Sequence, residues 1–254
     1  MSCARSTATV VNPEAYLEMA ATESRHWWFR ARRKILERII ESMRLPGSAR
    51  ILEVGSGTGG NLMMLSRHGS VLGLEMDENA RRLASEKTRG QFTIRAGNCP
   101  DNIPFRGEQF DLICMFDVLE HINEDVETLA ALRRHLAPGG RMLISVPAYP
   151  WLWSTHDTFL HHKRRYTART LRQVFDKSGL GIDRITYFNT LLLPLVALAR
   201  LKDRIVSREK SSGTGIPSPF VNSLLYAIFS SERHMLTLFN LPAGVSLLGI
   251  VRAK

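Results

Sequence analysis

The stretch Ile51-Leu52-Glu53-Val54-Gly55-Ser56-Gly57-Thr58-Gly59-Gly60-Asn61 decides the fold. An apolar run ends at a cluster of glycines, and a helical pattern of apolar residues begins at Leu62. This order predicts a strand, a tight turn and a helix. Glycine lets the backbone turn with positive φ and removes the Cβ from the path of a ligand. The amide groups at the start of the helix then point at whatever binds the turn.

Two ligands fit this glycine cluster. The spacing of Gly55, Gly57 and Gly60 matches the dinucleotide pattern G-x-G-x-x-G, which alone is a weak signal. Glu53 favours another ligand, because a carboxylate at this point would repel a pyrophosphate and attract an ammonium group. The stretch resembles motif I of the class I S-adenosylmethionine-dependent methyltransferases, in which an acidic and an apolar residue precede G-x-G-x-G. A glycine turn without a ligand is the third interpretation.

The composition limits the class of protein. The 254 residues suffice for one large α/β domain, and a hydrophobic content of 44% is ordinary for a globular protein. The three cysteines, Cys3, Cys99 and Cys114, are far apart, match no metal-binding spacing and indicate a reducing compartment. Since there is neither a secretory signal nor a run of 18 apolar residues, we expect a cytoplasmic protein.

The net charge of +10 favours an anionic partner. A phosphorylated substrate, a nucleic acid and an anionic membrane surface all satisfy it, and solubility alone is the alternative. The chain lacks the Asn/Asp-Pro-Pro-aromatic signature that is typical of amino-group methylation of nucleic acids. We therefore expect a small-molecule anionic acceptor and no nucleic-acid partner.

Segments downstream of the glycine cluster extend the resemblance. Ser70 to Glu75 is a second predicted strand, and Glu75 stands where an acidic residue suits a ribose diol; its alternative is a cap for the helix that begins at Asp77. After a third strand at 91 to 95, Asn98 replaces the acidic residue that commonly binds adenine in this family. Its side-chain carbonyl can accept the same hydrogen bond.

The resemblance continues through the next two strands. The segment from Phe110 to Phe116 has the continuous apolar character of a central parallel strand. It runs into Asp117-Val-Leu-Glu-His-Ile122, which resembles the segment after strand four in methyltransferases of small molecules and lipids. The turn Leu136-Ala-Pro-Gly-Gly140, placed between a helix at 125 to 136 and a strand at 141 to 147, is a further resemblance.

Over residues 50 to 150 the resemblance implies S-adenosyl-L-methionine as cofactor and S-adenosyl-L-homocysteine as product. It implies contacts with the cofactor along the carboxyl ends of the strands. The candidate cofactor-binding residues are Glu53, Gly55, Ser56, Gly57, Gly59, Asn61, Glu75, Met76, Asn98, Cys99, Phe116 and Asp117.

Asp117, Glu120 and His121 form a carboxylate-x-x-Glu-His pattern. Some ubiquinone-pathway and small-RNA methyltransferases bind a divalent cation with a similar pattern, and these ligand types suit Mg²⁺, Mn²⁺ or Zn²⁺. Three ligands in one short loop fall short of a closed site, and the Glu-His pair also occurs in relatives without a metal. We therefore expect no metal, and we expect His121 to orient the loop or the cofactor, or to act as a base.

Residues 148 to 166 follow the fifth strand, where an open α/β sheet places its ligand. Aromatic, basic and histidine residues share this one loop, a mixture that a purely structural loop rarely needs. The alternative is a solvated basic turn with tryptophans packed beneath it. The candidate bases are His121, His156 and His161. The candidate acceptor-binding residues are Trp28, Arg30, Tyr149, Trp153, His162, Arg164, Arg165 and Tyr166.

We expect a Rossmann-like α/β fold with a seven-stranded, mostly parallel sheet, helices on both faces and an antiparallel last strand. Residues 1–45 would form a helical lid with helices from Asn12 and at about 23 to 44, 46–189 the core, 190–241 a helical insert and 242–254 the last strand. A helix at 167 to 178 and a strand at 182 to 188 complete the core. The weakest order is expected at 1 to 11 and 207 to 219. The apolar insert is either a packed helical pair over the site or a peripheral contact with a membrane surface.

The function predicted from these features is methyl transfer to an anionic or partly apolar small molecule, such as a lipid-linked or glycan precursor or a quinone precursor. The alternatives are an RNA methyltransferase and a cofactor-binding regulator without turnover. A nicotinamide oxidoreductase is disfavoured by Glu53 and by the Pro138-Gly-Gly turn.

Overall fold

The structure is a computed structural model that describes residues 13–205 and 215–254. The predicted helix cap at Asn12, Cys3, and the weak order expected at 1 to 11 and 207 to 214 lie outside the described residues. The basic side chains of Lys202 and Arg204 lie outside them as well. Pro219, within the second stretch expected to be weakly ordered, begins a helix.

The described residues form a seven-stranded sheet with helices on both faces. The strands are β1 Arg50–Val54, β2 Ser70–Glu75, β3 Thr93–Ala96, β4 Phe110–Phe116, β5 Leu136–Pro147, β6 Leu180–Phe188 and β7 Ser246–Ala253. The helices are α1 Pro13–Thr22, α2 Trp27–Met43, α3 Leu62–Leu65, α4 Glu78–Lys87, α5 Asp125–Arg133, α6 Thr155–Phe159, α7 Ala168–Lys177, α8 Leu193–Ile205 and α9 Pro219–Leu238. Short 3₁₀ turns cover Leu119–His121 and Pro150–Leu152.

The sheet confirms the predicted fold class. The strand order is β3-β2-β1-β4-β5-β7-β6, and β7 alone runs antiparallel to its neighbours, between β5 and β6. The order reverses between β1 and β4, which are adjacent and parallel. In an open α/β sheet a ligand binds outside the carboxyl ends of the strands at such a reversal.

Two apolar layers hold the sheet. On one face α2 packs its apolar stripe, including Ile35 and Ile39, against strand residues such as Ile51 and Leu112. On the other face α5 and α7 pack against the strand residues of opposite orientation, among them Ile113. The helix α2 is therefore part of the core layer along most of its length. The predicted domain boundaries stay a prediction.

Several element boundaries differ from the sequence prediction, and two of the differences have a clear local reason. The helix predicted at 23 to 44 begins at Trp27, because the His26 side chain accepts a hydrogen bond from the amide of Trp28 at 3.2 Å and caps it. The helix predicted at 125 to 136 ends at Arg133. Leu136 already pairs with Phe110, so β5 begins there and includes the Pro-Gly-Gly segment. The pairing of β5 with β4 shifts its register at this segment, between Phe110 and Leu112.

The helical insert divides between two surfaces. The α9 helix packs along α2, where the ring of Phe229 meets Trp27 edge to face at 6.0 Å. The α8 helix turns Val196 and Arg200 toward the carboxyl ends of the strands and leaves Leu198 exposed. Within residues 13–205 and 215–254, none of the helices has the length and apolar character needed to cross a membrane.

Candidate active site

One cavity of about 600 Å³ lies at the carboxyl ends of the central strands. Its walls come from the glycine loop after β1, the ends of β2 and β4, the loop after β5, and helices α1, α2 and α8. Cavities of this size accommodate small molecules and cofactors. Among the predicted cofactor-binding residues, those that line it are Gly55, Ser56, Gly57, Asn61, Glu75, Met76, Asn98, Cys99, Phe116 and Asp117.

Gly55, Gly57 and Gly59 of the loop have positive φ, as expected, but serve different purposes. A Cβ on Gly55 would lie 2.5 Å from the Val118 side chain, and one on Gly59 would lie 3.0 Å from the Ala84 Cβ. These two glycines allow close packing of the loop. A Cβ on Gly57 would meet no atom closer than 4.0 Å. Gly57 is therefore the position where the backbone itself faces the cavity.

Glu75 fixes the glycine loop to the end of β2. One of its oxygens accepts a hydrogen bond from the amide of Gly57 at 2.8 Å, and the other accepts one from the amide of Asp77 at 2.9 Å. The cap of α4 is Asp77, which accepts from the amide of Ala80. Burial raises the pKa of Glu75, and the backbone hydrogen bonds oppose that shift. Binding of a ribose by Glu75 stays a prediction.

Glu53 lies beneath the loop, and neither it nor Gly59 lines the cavity. The side-chain amide of Asn61 donates to one Glu53 oxygen at 2.7 Å. The other oxygen has no hydrogen-bond partner in the part of the chain that the structure describes. Burial raises the pKa of Glu53 to about 8. A buried carboxyl with a free oxygen leaves room for a cationic partner.

Arg32 is a residue of the cavity wall that the sequence analysis missed. It forms an ion pair with Asp117 and places its guanidinium 4.6 Å from the centre of the Trp28 ring. Burial lowers the pKa of Arg32 to about 10. Its spacing from Ile35 and Leu36 places it on the apolar stripe of α2, and this spacing is the sequence signal that separates it from Arg30 and Arg33.

The histidines divide by position. His121 and His156 line the cavity, whereas the third candidate base, His161, does not. Burial lowers the pKa of His121 to about 3, which keeps its imidazole neutral. Its ring meets the ring of His162 edge to face at 4.6 Å.

The metal pattern considered from sequence is not the group that the fold assembles. Asp117 forms an ion pair with Arg32 and does not belong to the cluster of potential ligands in the described residues. His162 takes its place: one potential ligand atom each from Glu120, His121 and His162 lie within 4.8 Å of one another. The sequence separates His162 from the pair by 41 positions, so no local pattern could have joined them.

Three of the eight predicted acceptor-binding residues, Trp28, His162 and Arg165, line the cavity. The Arg165 guanidinium donates to both oxygens of Asp157, at 2.7 and 3.0 Å. Asp157 also contacts the Nδ1 atom of His162 at 2.9 Å. The hydrogen bonds from His162 and Arg165 hold the pKa of Asp157 below its ordinary value, although burial opposes them. The acidic residue that organises this loop was not predicted.

The other predicted acceptor-binding residues have partners elsewhere. Arg30 lies over the Tyr226 ring of α9, 4.5 Å from its centre. Arg164 pairs with Asp125 at 2.7 Å, and the buried Tyr166 hydroxyl donates to the same carboxylate at 2.9 Å.

Two aromatic residues of the loop after β5 likewise lie off the cavity. Tyr149 stacks on Tyr187 with ring centres 5.2 Å apart. Trp153 is on the surface. None of these five predicted residues lines the cavity.

Helix α1 lies in the segment that was expected to form a lid, and it supplies wall residues that the sequence did not identify one by one. Tyr16 and Met19 of α1 cover the glycine loop side of the cavity. Glu23, just after α1, accepts a hydrogen bond from the Thr58 hydroxyl at 2.7 Å and so fastens α1 to the loop. Contacts between segments this far apart depend on the tertiary fold.

Comparisons with known proteins agree with this geometry. A family model described as a methyltransferase domain matches residues 24–185. The ubiquinone/menaquinone biosynthesis C-methyltransferase UbiE of Serratia proteamaculans is 27% identical over 183 residues, which cover 59% of this chain and 72% of that protein.

Two solved structures share the fold at low sequence identity. An S-adenosylmethionine-dependent methyltransferase from Clostridium acetobutylicum superposes with a TM-score of 0.56 at 14% identity, covering 87% of this chain and 91% of that chain. Phosphoethanolamine N-methyltransferase 2 of Haemonchus contortus, solved with phosphomonomethylethanolamine and S-adenosylhomocysteine, has a TM-score of 0.56 at 16% identity. The match covers 87% of this chain and 52% of that one.

Proposed function

Since the chain belongs to the methyltransferase domain family and is an S-adenosylmethionine-dependent methyltransferase, we propose that its acceptor is a partly apolar small molecule that carries a hydroxyl or an anionic group. When bound, the cofactor supplies an electrophilic methyl group on a sulfonium sulfur. The protein must therefore hold an acceptor atom in line with that group, and such positioning accounts for much of the catalysis.

The described residues fit the cofactor. Gly57 leaves the backbone open to the cavity, and the free oxygen of Glu53 below the loop suits an ammonium group. Glu75 stands at the end of β2 with lone pairs available beyond its two amide contacts, as a ribose diol requires. Asn98 and Cys99 lie on the same wall, where an adenine would lie.

One observation carries the proposal for the acceptor: the glycine loop and the loop after β5 wall the same cavity. The part of the wall formed by α2, α8 and the loop after β5 combines apolar residues, Trp28, Leu160 and Val196, with the cationic Lys163 and Arg200. This combination favours a molecule with an apolar body and a polar or charged end. The sequence also lacks the Asn/Asp-Pro-Pro-aromatic signature that is typical of amino-group methylation of nucleic acids.

The position of α8 extends the proposal to a membrane surface. Its inner face contributes Val196 to the cavity, and its outer face exposes Leu195, Leu198 and Leu201. Because the whole chain carries a net charge of +10, this exposed apolar face of α8 suits an anionic bilayer. An apolar acceptor would then enter the cavity beside α8 directly from the lipid. One UbiE relative acts in ubiquinone and menaquinone biosynthesis, which agrees with an apolar acceptor.

His156 is the better candidate for a general base. A base is most effective when its pKa lies near the working pH. The low pKa of His121 makes that imidazole a weak base. His156 reaches the same cavity from α6. An acceptor that is already ionised needs no base.

The test uses labelled S-adenosylmethionine and matched phenols, with and without an alkyl tail, together with RNA. We expect transfer to the tailed phenols. Val196→Asp places a charge inside the cavity and should raise the KM of the tailed phenols at least tenfold, at an unchanged Kd for S-adenosylhomocysteine. Transfer to RNA alone, or equal KM values for tailed and untailed phenols, would overturn the proposal.

A matched control lies on the same helix. Leu198→Asp changes the outer face of α8 and should leave the KM of a soluble tailed phenol as it is. It should reduce cosedimentation with vesicles that contain anionic phospholipid. If Leu198→Asp and wild type sediment equally with these vesicles, the membrane contact is refuted and the cavity proposal stands.

A further inference from the structure

Three side chains of the cavity wall lie close to one another: Glu120, His121 and His162. Glu120 and His121 come from the 3₁₀ turn after β4, and His162 comes from the loop after β5. The His162 Nε2 atom lies 4.0 Å from a Glu120 oxygen. One potential ligand atom from each residue lies within 4.8 Å of the other two.

Three polar atoms of this group are buried and lack a hydrogen-bond partner among the described residues. Glu120 is fully buried, and neither of its oxygens has a hydrogen-bond partner among the residues that the structure describes. The Nδ1 atom of His121 is also without one there. Buried polar atoms are nearly always hydrogen-bonded, because an unpaired one has lost its contacts with water without replacement. Several unpaired ligand atoms that point at one space indicate that something polar occupies it.

A second layer of contacts fixes the direction of the two imidazoles. The Nδ1 atom of His162 is held by Asp157 at 2.9 Å, which directs Nε2 toward Glu120. Arg165 holds Asp157 in turn with two hydrogen bonds. His121 is fixed by a hydrogen bond with the backbone of Leu160. A carboxylate or carbonyl behind each imidazole is the usual support of a histidine that binds a metal.

We propose that Glu120, His121 and His162 bind one divalent transition-metal ion, with Zn²⁺ or Mn²⁺ preferred over Mg²⁺. Two imidazoles and one carboxylate suit Zn²⁺ best and Mn²⁺ less well, whereas Mg²⁺ requires mainly oxygen ligands. Bonds of about 2.0–2.1 Å in a tetrahedral site set ligand atoms about 3.4 Å apart. The three ligand atoms lie within 4.8 Å of one another, so binding would draw them closer by up to about 1.4 Å. At least one coordination position then faces the cavity.

The open coordination position would let the ion bind the acceptor, and this role rests on the acceptor class proposed above. An acceptor hydroxyl bound there would lose its proton to water at a lower pH, because the cation stabilises the oxyanion. No protein base is then needed. The site also favours acceptors that present an oxygen to the ion over acceptors without one.

The experiment measures metal binding directly. Purified protein is dialysed against a chelator, and the binding of Zn²⁺, Mn²⁺ and Mg²⁺ is measured one at a time by calorimetry and by elemental analysis after equilibrium dialysis. We expect one Zn²⁺ or Mn²⁺ per chain and weaker binding of Mg²⁺. Co²⁺ should give visible absorption bands typical of nitrogen and oxygen ligands.

Matched variants separate ligation from nearby charge. Glu120→Gln and His162→Gln should lower the affinity about 100-fold or more, and Asp157→Asn, which positions His162, should lower it about 10- to 100-fold. His161→Gln removes the adjacent histidine, which is outside the group, and should bind the ion like wild type. Far-UV circular dichroism confirms that each variant is folded.

Zn²⁺ and Mn²⁺ binding below one equivalent in wild type, or equal affinity in His162→Gln and His161→Gln, would overturn the proposal. Methyl transfer and metal content are measured separately. Transfer by a metal-free protein refutes the proposed part of the ion in catalysis while the proposed function stands. Stoichiometric binding without transfer to any acceptor supports the metal site and counts against the proposed acceptor class.

Discussion

Replacing Glu53 by Gln is expected to change how the stability of the empty protein depends on pH. The carboxyl has an ordinary pKa of 4.5 in the unfolded chain, and burial raises it to about 8 in the folded protein. Between these values the folded state keeps a proton that the unfolded state loses. Stability therefore falls as the pH rises through this range.

The magnitude follows from the linkage relation. One proton bound by the folded state alone gives a slope of about 1.4 kcal/mol per pH unit. Between pH 6 and pH 8 the contribution of Glu53 is at most about 3 kcal/mol, and relaxation around the buried carboxyl reduces it. The amide side chain of the Glu53→Gln variant has no such proton to lose. Glu120, whose pKa is also raised to about 8, contributes equally to both proteins and cancels in their difference.

The assay is urea unfolding followed by circular dichroism at pH 6, 7, 8 and 9. The free energy of unfolding of Glu53→Gln minus that of wild type should increase from pH 6 to about pH 8 and then level off, because the carboxyl is ionised in both states above its folded pKa. Glu108→Gln is the control. Hydrogen bonds from Arg95 and Arg50 lower the pKa of Glu108, so its carboxylate is ionised in both states throughout this range. Its difference from wild type should therefore be constant.

A pH-independent difference between Glu53→Gln and wild type would refute the reasoning, since the carboxyl would then be ionised in the empty protein. A second readout concerns the cofactor site. S-adenosylhomocysteine carries an ammonium group, so it should raise the unfolding midpoint of wild type more than that of Glu53→Gln. Equal stabilisation would mean that Glu53 does not contribute to cofactor binding.

Two other substitutions separate binding from structure. Gly57→Ala and Gly90→Ala both put a Cβ on a backbone with positive φ, so each should lower the free energy of unfolding by about 1–2 kcal/mol. Only Gly57→Ala should also weaken S-adenosylhomocysteine binding, by tenfold or more in calorimetry. Equal affinities would show that Gly57 does not face the cofactor. Tyr166→Phe should cost about 1.5–3 kcal/mol in urea unfolding, because the hydroxyl donates to the Asp125 carboxylate, and should leave the acceptor KM unchanged. A raised KM for the acceptor at an unchanged free energy of unfolding would mean that Tyr166 binds the acceptor after all.

The sequence itself determined the fold class and the cofactor loop. The apolar run before Gly55 and the helical pattern after Leu62 predict a strand and a helix from local backbone preferences. The folded protein keeps the same local structure at both places. The strand at 70 to 75 was predicted at its observed bounds for the same reason. The antiparallel last strand was implied by resemblance and is found between β5 and β6.

Only the tertiary structure decided which polar side chains face the cavity. Arg164 and Arg165 are neighbours in sequence, yet Arg164 pairs with Asp125 and only Arg165 lines the cavity. The direction of each side chain depends on partners that are distant in sequence. Local sequence patterns therefore cannot predict which way it points. The glycine loop could be identified from its own residues, because its function resides in the backbone. The group of Glu120, His121 and His162 could not, because it exists only after two loops from neighbouring strands have met.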